Sequence, residues 1–205
     1  MSHAANQSLE GKQVWQMLIE GNMRFSQGFF MGRNLLDLRR SLHRGQNPIA
    51  AVLCCSDSRV PAEIIFDQSL GDLFVVRSAG LTVDPTTIGS LEYAVAHLHV
   101  PLLVIKGHEC CGAVTAAVEH PDLDEGHITA IVRQIAPAAN RVRATGKTGR
   151  DLVETATNEF ISSLRETLRR ESRIIGEALD RNLLHLVVAK YHMKDGRVEI
   201  LTSTF

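Results

Sequence analysis

The chain has 205 residues, of which 44% are hydrophobic and 15 are glycine, a composition typical of one globular core with an added arm. This composition excludes a disordered or collagen-like chain. The 22 basic and 23 acidic side chains give a formal net charge of -1, so no general electrostatic attraction to nucleic acid or to an anionic membrane is expected. A small neutral or singly charged partner fits better.

The start of the chain and its cysteines bear on where the protein is found. Residues 1–10 lack a basic segment followed by an apolar stretch, and no run approaches the ~18 apolar residues that span a bilayer. The four cysteines form two adjacent pairs, Cys54-Cys55 and Cys110-Cys111, a poor layout for disulfide bonds. We therefore expect a cytoplasmic protein with reduced thiols and no membrane partner.

Helices and buried strands alternate along the chain. Apolar residues recur near a spacing of 3.6 over 11–27, which predicts an amphipathic helix, and the basic segment 33–48 indicates a short helix and a turn. The elements predicted next are a strand over 49–55, a short helix over 61–66, a strand over 73–77, a helix over 85–97 and a strand over 102–106. The last ones are a helix from 112, a long helix over 151–170 that continues over 174–180, a strand over 183–189, a hairpin turn at 194–196 and a strand over 198–201.

This alternation predicts the fold class α/β. We expect a mostly parallel central sheet with helices on both faces, an antiparallel edge strand at the C-terminus and an N-terminal helical arm. No linker divides the chain, so 1–205 is interpreted as a single domain with an arm over 1–45 and a core over 46–205. Trp15, Met17 and Phe25 form an apolar face on the arm, which we expect to pack on a second subunit.

Two polar segments follow the first and third predicted strands, at 55–59 and 107–112. In an open parallel sheet, ligands bind outside the carboxyl ends of the strands where the order of connections reverses, so these two segments can meet there. Alternation along a strand places Cys55 and Asp57 on the same side. His108 and Cys111 are three residues apart, which places both side chains on one face of a helical turn.

Cys55, His108 and Cys111 would together supply two thiolates and one imidazole. A lone cysteine at a strand end is usually a core residue and a lone histidine in a turn is usually structural, but the combination favours a metal site. This donor set suits Zn²⁺, and three ligands leave a fourth position for water, substrate or the Asp57 carboxylate. An open fourth position makes catalysis possible.

Other polar residues near these segments are interpreted more simply. Cys54 should pack in the core, and Cys110 should take no part in the site. Glu109 is interpreted as an exposed turn residue rather than a base, and His97 and His99 as surface histidines at a helix end rather than proton shuttles.

The pattern Cys55-x-Asp57-x-Arg59 with His108-x-x-Cys111 resembles the metal signature of the β-class carbonic anhydrases, strongly over 46–118 and more weakly elsewhere. The resemblance implies one zinc ion per chain, bound by Cys55, His108 and Cys111, with Asp57 and Arg59 as a catalytic dyad. It implies a lyase that reversibly hydrates carbon dioxide to bicarbonate and a proton by attack of zinc-bound hydroxide. A homodimer or dimer-based oligomer is also implied.

The same resemblance assigns substrate-binding residues. Gln46 would hydrogen-bond the substrate, while Phe74, Ala79 and Tyr93 would line an apolar pocket for carbon dioxide. Gly112 would follow the last ligand as in relatives. One departure is visible, because many members read Arg-Asn-Ala-Gly-Asn where residues 77–81 of this chain read Arg-Ser-Ala-Gly-Leu.

Asp57 has two possible states under this interpretation. Held by Arg59 it can accept a hydrogen bond and orient the nucleophile, whereas bound to zinc as a fourth metal ligand it would close the site. We therefore predict a pH switch, with activity rising between about pH 7 and 9. Two alternatives stay open, a non-catalytic zinc protein whose site is closed by two cysteines, a histidine and an aspartate, and a hydrolase of a carbon dioxide analogue such as carbon disulfide. Arg59 argues against the first.

Overall fold

A computed structural model describes residues 9–205, so the first eight residues of the predicted arm lie outside the described part. The described chain contains α1 (Gly11–Ser26), α2 (Leu35–Ser41), β1 (Ala50–Cys55), α3 (Ala62–Ile65), β2 (Leu73–Ser78), α4 (Pro85–Ala96), β3 (Leu102–His108), α5 (Gly112–Glu119), α6 (Ile128–Arg143), α7 (Gly149–Glu171), α8 (Arg173–Asp180), β4 (His185–Tyr191) and β5 (Val198–Ser203). No helix of this part is both long and apolar enough to cross a membrane.

The five strands form one sheet in the order β2-β1-β3-β4-β5. The pairs β1–β2, β1–β3 and β3–β4 are parallel, and β5 is antiparallel to β4. After β1 the chain continues to β2 on one side and then returns to β3 on the other, so the connections reverse between β1 and β3. The α/β fold with a mostly parallel sheet and an antiparallel C-terminal edge strand is thus confirmed.

Both faces of the sheet are covered, which explains why β1 and β3 are buried along their whole length. Leu53 and Cys55 face a core completed by α4 to α8, whereas Val52 and Cys54 face a second core completed by α1 and α3. Cys55 therefore lies on the opposite side of β1 from Cys54, as the alternation predicts, and Cys54 packs in the core.

Helix α1 packs on its own chain, so the expectation that Trp15 covers a second subunit is wrong, whereas Met17 on the same helix stays exposed. Val14, Trp15 and Leu18 are buried against the sheet, and the Trp15 ring meets the Phe66 ring edge-on at 6.2 Å between centroids. The approach is close enough that a Cβ on Gly21 would lie 1.8 Å from the Phe66 carbonyl oxygen. The helix doubles back onto the sheet face that would otherwise stay uncovered.

The second half of the chain contains two differences from the predicted elements. Helix α6 was not predicted, and it carries Pro137 in its interior. Ser172 separates α7 from α8 rather than letting one helix continue, because its hydroxyl accepts the Ile175 N–H at 3.1 Å and donates to Glu92 at 2.6 Å. A serine that caps a new helix ends the previous one.

Candidate metal centre

Three side chains converge at the carboxyl ends of β1 and β3. Cys55 is the last residue of β1, His108 is the last residue of β3, and Cys111 precedes the first residue of α5. All three are buried, and their ligand atoms lie within 4.8 Å of one another. The place is the reversal point between β1 and β3, where the sequence predicts a ligand site.

The His108 ring is oriented by its own backbone. Nδ1 lies 2.8 Å from the carbonyl oxygen of Glu109, and because a carbonyl can only accept, Nδ1 must donate the hydrogen. Nε2 then carries a lone pair, and it is buried with no hydrogen-bond partner among the residues of 9–205. A buried nitrogen lone pair left unpaired beside two thiols is suited to a metal ion.

The two thiols stand in an environment that favours a thiolate. Cys55 Sγ accepts the backbone N–H groups of Asp57 and Gly80, each at 3.4 Å. Its hydrogen bond with Cys111 lowers the pKa of Cys55 to about 4, and the same contact raises the pKa of Cys111, so the pair shares one proton. Gly80 has φ +65, and a Cβ there would lie 2.8 Å from Ala113 and Ile135, so glycine lets the amide reach the sulfur.

Two sulfurs and one imidazole nitrogen form a donor set that fits Zn²⁺. The three side chains are buried and their ligand atoms lie within 4.8 Å of one another, and a divalent cation bound there would displace the proton that the two thiols share.

Asp57 belongs to a neighbouring pair rather than to the three-atom cluster. Arg59 donates three hydrogen bonds to its carboxylate, from the backbone N–H and Nε to Oδ1 at 2.9 Å each and from Nη2 to Oδ2 at 2.7 Å. The Arg59 side-chain hydrogen bonds hold the pKa of Asp57 well below its usual range. Asp57 is therefore an ionised acceptor held beside the cluster.

Two cationic side chains that the sequence analysis did not assign hold the backbone of this loop. Arg77 donates from Nε to the Cys55 carbonyl at 3.0 Å and from Nη2 to the Asp57 carbonyl at 2.7 Å. Lys106 is fully buried and donates from Nζ to the Val60 carbonyl at 3.1 Å. Burial lowers the pKa of Lys106 to about 8. A lysine inside an otherwise apolar strand was the one sequence signal for such a role.

Two further expectations concern residues between the ligands. Glu109 is not an exposed turn residue, because its carboxylate binds the His192 ring and the Met193 N–H at 3.0 Å each. Cys110 is exposed and lies outside the three-atom cluster, with φ +53.

The sequence-predicted substrate residues fall into two groups. Ala79 and Gly112 lie at the metal centre, since Ala79 adjoins Gly80 and Gly112 follows Cys111. Phe74 pairs in register with Ala51, four residues before Cys55, which is about 13 Å along the strand.

Gln46, Phe74 and Tyr93 all lie away from the metal centre. Gln46 is exposed and precedes β1, at the opposite end from Cys55, and Tyr93 on α4 has its ring centroid 6.2 Å from that of Phe74. We call Gln46, Phe74 and Tyr93 the distal group. The structure does not bring it to the metal centre of its own chain.

The two residues that depart from the family pattern at 77–81, Ser78 and Leu81, both fit the local turn. The Ser78 hydroxyl donates to the Thr82 carbonyl at 2.7 Å, and Leu81 is buried in the core with φ +59.

Comparison with known proteins gives one consistent result. The family model described as "Carbonic anhydrase" matches residues 50–198. A carbonic anhydrase of Mycolicibacterium smegmatis is 40% identical over 192 residues, covering 91% of each chain. The solved β-carbonic anhydrase CcaA is 29% identical with a TM-score of 0.74, over 92% of this chain and 95% of that one. A tetrameric β-carbonic anhydrase of Sordaria macrospora is 26% identical with a TM-score of 0.72, over 81% and 87%.

Proposed function

This chain belongs to the β-carbonic anhydrase family, and we propose that Cys55, His108 and Cys111 hold the one zinc ion with which it hydrates carbon dioxide. The reaction is the reversible conversion of carbon dioxide to bicarbonate and a proton. The observation that carries the proposed ligand set is the unpaired, buried Nε2 of His108 lying within 4.8 Å of two thiol sulfurs.

Zinc, when bound, acts as a Lewis acid that lowers the pKa of a water molecule and so supplies the nucleophile. Asp57 is proposed to orient that nucleophile. Oδ1 already accepts two hydrogen bonds from Arg59, while Oδ2 accepts one, so Oδ2 has a lone pair left for a proton of the reacting water. Because the Arg59 hydrogen bonds hold the pKa of Asp57 well below its usual range, this acceptor is ionised at neutral pH.

The pairing of Asp57 with Arg59 favours the catalytic interpretation over a closed, non-catalytic zinc site. A closed site needs the carboxylate as fourth ligand, whereas three hydrogen bonds from one arginine keep it beside the cluster. Arg59 would have to release the carboxylate for Asp57 to take that position, whereas Arg77 holds only the Asp57 backbone carbonyl.

Stopped-flow measurement of carbon dioxide hydration tests the proposal, on protein whose zinc content has been determined. We expect Cys111→Ala to lose both the zinc and the activity, and Cys110→Ala, which changes the adjacent exposed side chain, to keep both. Activity should rise from about pH 7 to about pH 8.5 as the bound water ionises. One zinc per chain without hydration at either pH would contradict the proposal, and turnover of carbon disulfide would then identify the alternative substrate.

We propose that the chain forms a homodimer or a dimer-based oligomer through a patch next to α2. The patch consists of the apolar residues Phe30, Met31, Leu35, Ile64 and Leu70, each about half exposed, which line a shallow cavity of about 420 Å³. We call it the arm patch. A contiguous exposed apolar surface of this kind is typical of a subunit interface, and a relative from Sordaria macrospora is tetrameric.

The distal group is proposed to act on the metal centre of a neighbouring subunit. Within one chain, the length of β1 keeps Gln46 and Phe74 from Cys55. In an isologous dimer, a residue that reaches the partner's site has its counterpart reaching back, so each site would be completed by the other chain.

A cytoplasmic location is part of the proposal. All four cysteines are free thiols, which is the state expected in a reducing compartment.

A further inference from the structure

The two residues between His108 and Cys111 have both of their backbone amides fixed from other parts of the fold. The Glu109 N–H donates to the Tyr191 carbonyl of β4 at 3.1 Å. The Cys110 N–H donates to Oε1 of Glu154 at 3.0 Å. Cys110 also has φ +53, a conformation that a non-glycine residue rarely adopts, so the external contacts help to hold the loop.

Glu154 reaches this loop from α7 and is itself held in place. Its Oε2 forms an ion pair with Nζ of Lys190 at 2.7 Å, and the two side chains are only 18% and 7% exposed. Lys190 lies on β4, in register with Gly107 of β3, next to the metal ligand. A mostly buried carboxylate without this partner would be costly, so the ion pair holds Glu154 in position.

A single peptide group connects Glu154 to His108. The peptide between Glu109 and Cys110 donates its N–H to Glu154, and its carbonyl oxygen accepts the Nδ1 hydrogen of His108 at 2.8 Å. A carboxylate on the N–H polarises the peptide and makes the carbonyl a stronger acceptor. A stronger acceptor at Nδ1 orients the ring and increases the basicity of Nε2.

We propose that Glu154 is a positioning residue for the metal ligand His108, acting through the Glu109–Cys110 peptide and held by Lys190. In many metal sites a carboxylate contacts the ligating histidine directly, and here one peptide group stands between them. The inference rests on the proposed zinc site. Its effect is on the retention of zinc and on the hydrogen bond at Nδ1 of His108, and no contact of Glu154 with substrate is implied.

The test compares Glu154→Gln with the control Glu166→Gln, which changes an exposed glutamate on the same helix. Zinc affinity is measured by competition with a chelator, and the Nδ1 hydrogen of His108 is observed by NMR in the zinc-loaded protein. For Glu154→Gln we expect zinc affinity to fall by about 10- to 100-fold and the Nδ1 resonance to move upfield. Glu166→Gln should change neither.

The unfolding of the zinc-free proteins separates positioning from a general structural role. A purely structural Glu154 would lower the stability of the zinc-free protein and leave the Nδ1 resonance of the folded, zinc-loaded protein unmoved. If Glu154→Gln does not fold, Lys190→Gln, which removes the positive charge beside Glu154, should show the same two effects with smaller size. Unchanged zinc affinity together with an unmoved resonance would overturn the inference. Wild-type protein that binds no zinc would instead overturn the proposed metal centre.

Discussion

Arg59 is the residue on which the proposed role of Asp57 depends most directly. Its backbone and guanidinium together occupy three of the four lone-pair positions of the carboxylate, so the direction of the remaining one is set by the arginine. Arg59 is itself half exposed, and its Nη2 lies 3.4 Å from the Cys110 carbonyl. The arginine therefore joins the loop after β1 to the loop that carries Cys111.

Arg59→Lys tests this dependence, because lysine keeps the charge and loses the two-pronged geometry. We expect hydration to fall by about 100-fold, the size of effect that a misplacement of about 1 Å can have, with the zinc content unchanged. Stopped-flow kinetics measures the hydration rate, and a zinc assay measures the metal content. Arg40→Lys, a change at an exposed ion pair on α2, is the control and should be neutral. Loss of zinc in Arg59→Lys would show that the arginine supports the metal ligands rather than the orientation of Asp57.

At the scale of elements, Asp67 attaches the segment after α1 to the core. Asp67 follows α3, its side chain is 1% exposed, and it accepts Arg24 Nε and Arg33 Nη1 at 2.6 Å each as well as the Met31 N–H at 3.3 Å. Arg33 also donates to the Asp67 carbonyl. Two arginines from either end of one segment thus converge on one buried carboxylate beside the arm patch.

We predict that Asp67→Asn lowers the free energy of unfolding by about 3 kcal/mol, because it leaves two arginines with no ion partner at a mostly buried site. Urea unfolding measures the change. Asp37→Asn, which breaks only an exposed pair on α2, should stay within about 0.5 kcal/mol of wild type.

The loss of stability caused by Asp67→Asn should depend on pH. Burial raises the pKa of Asp67, but hydrogen bonds from Arg33 and Arg24 outweigh it, and the net pKa lies below the ordinary value. A carboxylate with a lowered folded pKa stabilises the fold fully above its unfolded pKa of about 4, and that contribution is lost as the pH falls further. The difference between wild type and Asp67→Asn should therefore be constant above about pH 5 and shrink in acid. A difference that grew in acid would contradict this assignment.

Some of these features could be predicted from the sequence and others could not. The strand ends at Cys55 and His108 are recognisable because a continuous apolar run stops at a polar residue, and the sheet rule then brings them together. Glu154 could not be found in this way, because it accepts a hydrogen bond from a backbone N–H 44 residues away. Such a contact leaves no pattern of residue spacing in the sequence. Helix α6 escaped prediction because Pro137 is a residue that normally ends a helix.

The packing of α1 escaped prediction for another reason. Periodicity reveals that Val14, Trp15 and Leu18 share a face, but the partner of that face depends on where the chain turns back. The same limit applies to the distal group, because the motif resemblance assigns residues to a site without saying which chain supplies them.

At the scale of the whole molecule, the fold separates the metal centre from the distal group by the length of β1. Gln46 lies before the first residue of the strand and Cys55 is its last residue. If both contribute to one reaction, the active unit contains two chains. Leu35→Asp, which puts a charge into the arm patch, should then give monomers that keep zinc and lose most hydration activity. Analytical ultracentrifugation and zinc analysis measure the change in oligomeric state and in zinc content. The control is Ile128→Asp on α6, at a similarly exposed isoleucine.

A mixing experiment decides which chain supplies Gln46. Gln46→Ala chains keep their ligands and lack the distal glutamine, whereas Cys111→Ala chains lack a ligand and keep the glutamine. Each homodimer should be nearly inactive. A mixed dimer would contain one site with intact ligands from the first chain and Gln46 from the second, so activity should return when the two proteins are unfolded together, refolded with zinc and reassociated. If Gln46 served its own chain, no site in the mixed dimer would be complete, and the mixture would stay as inactive as its components.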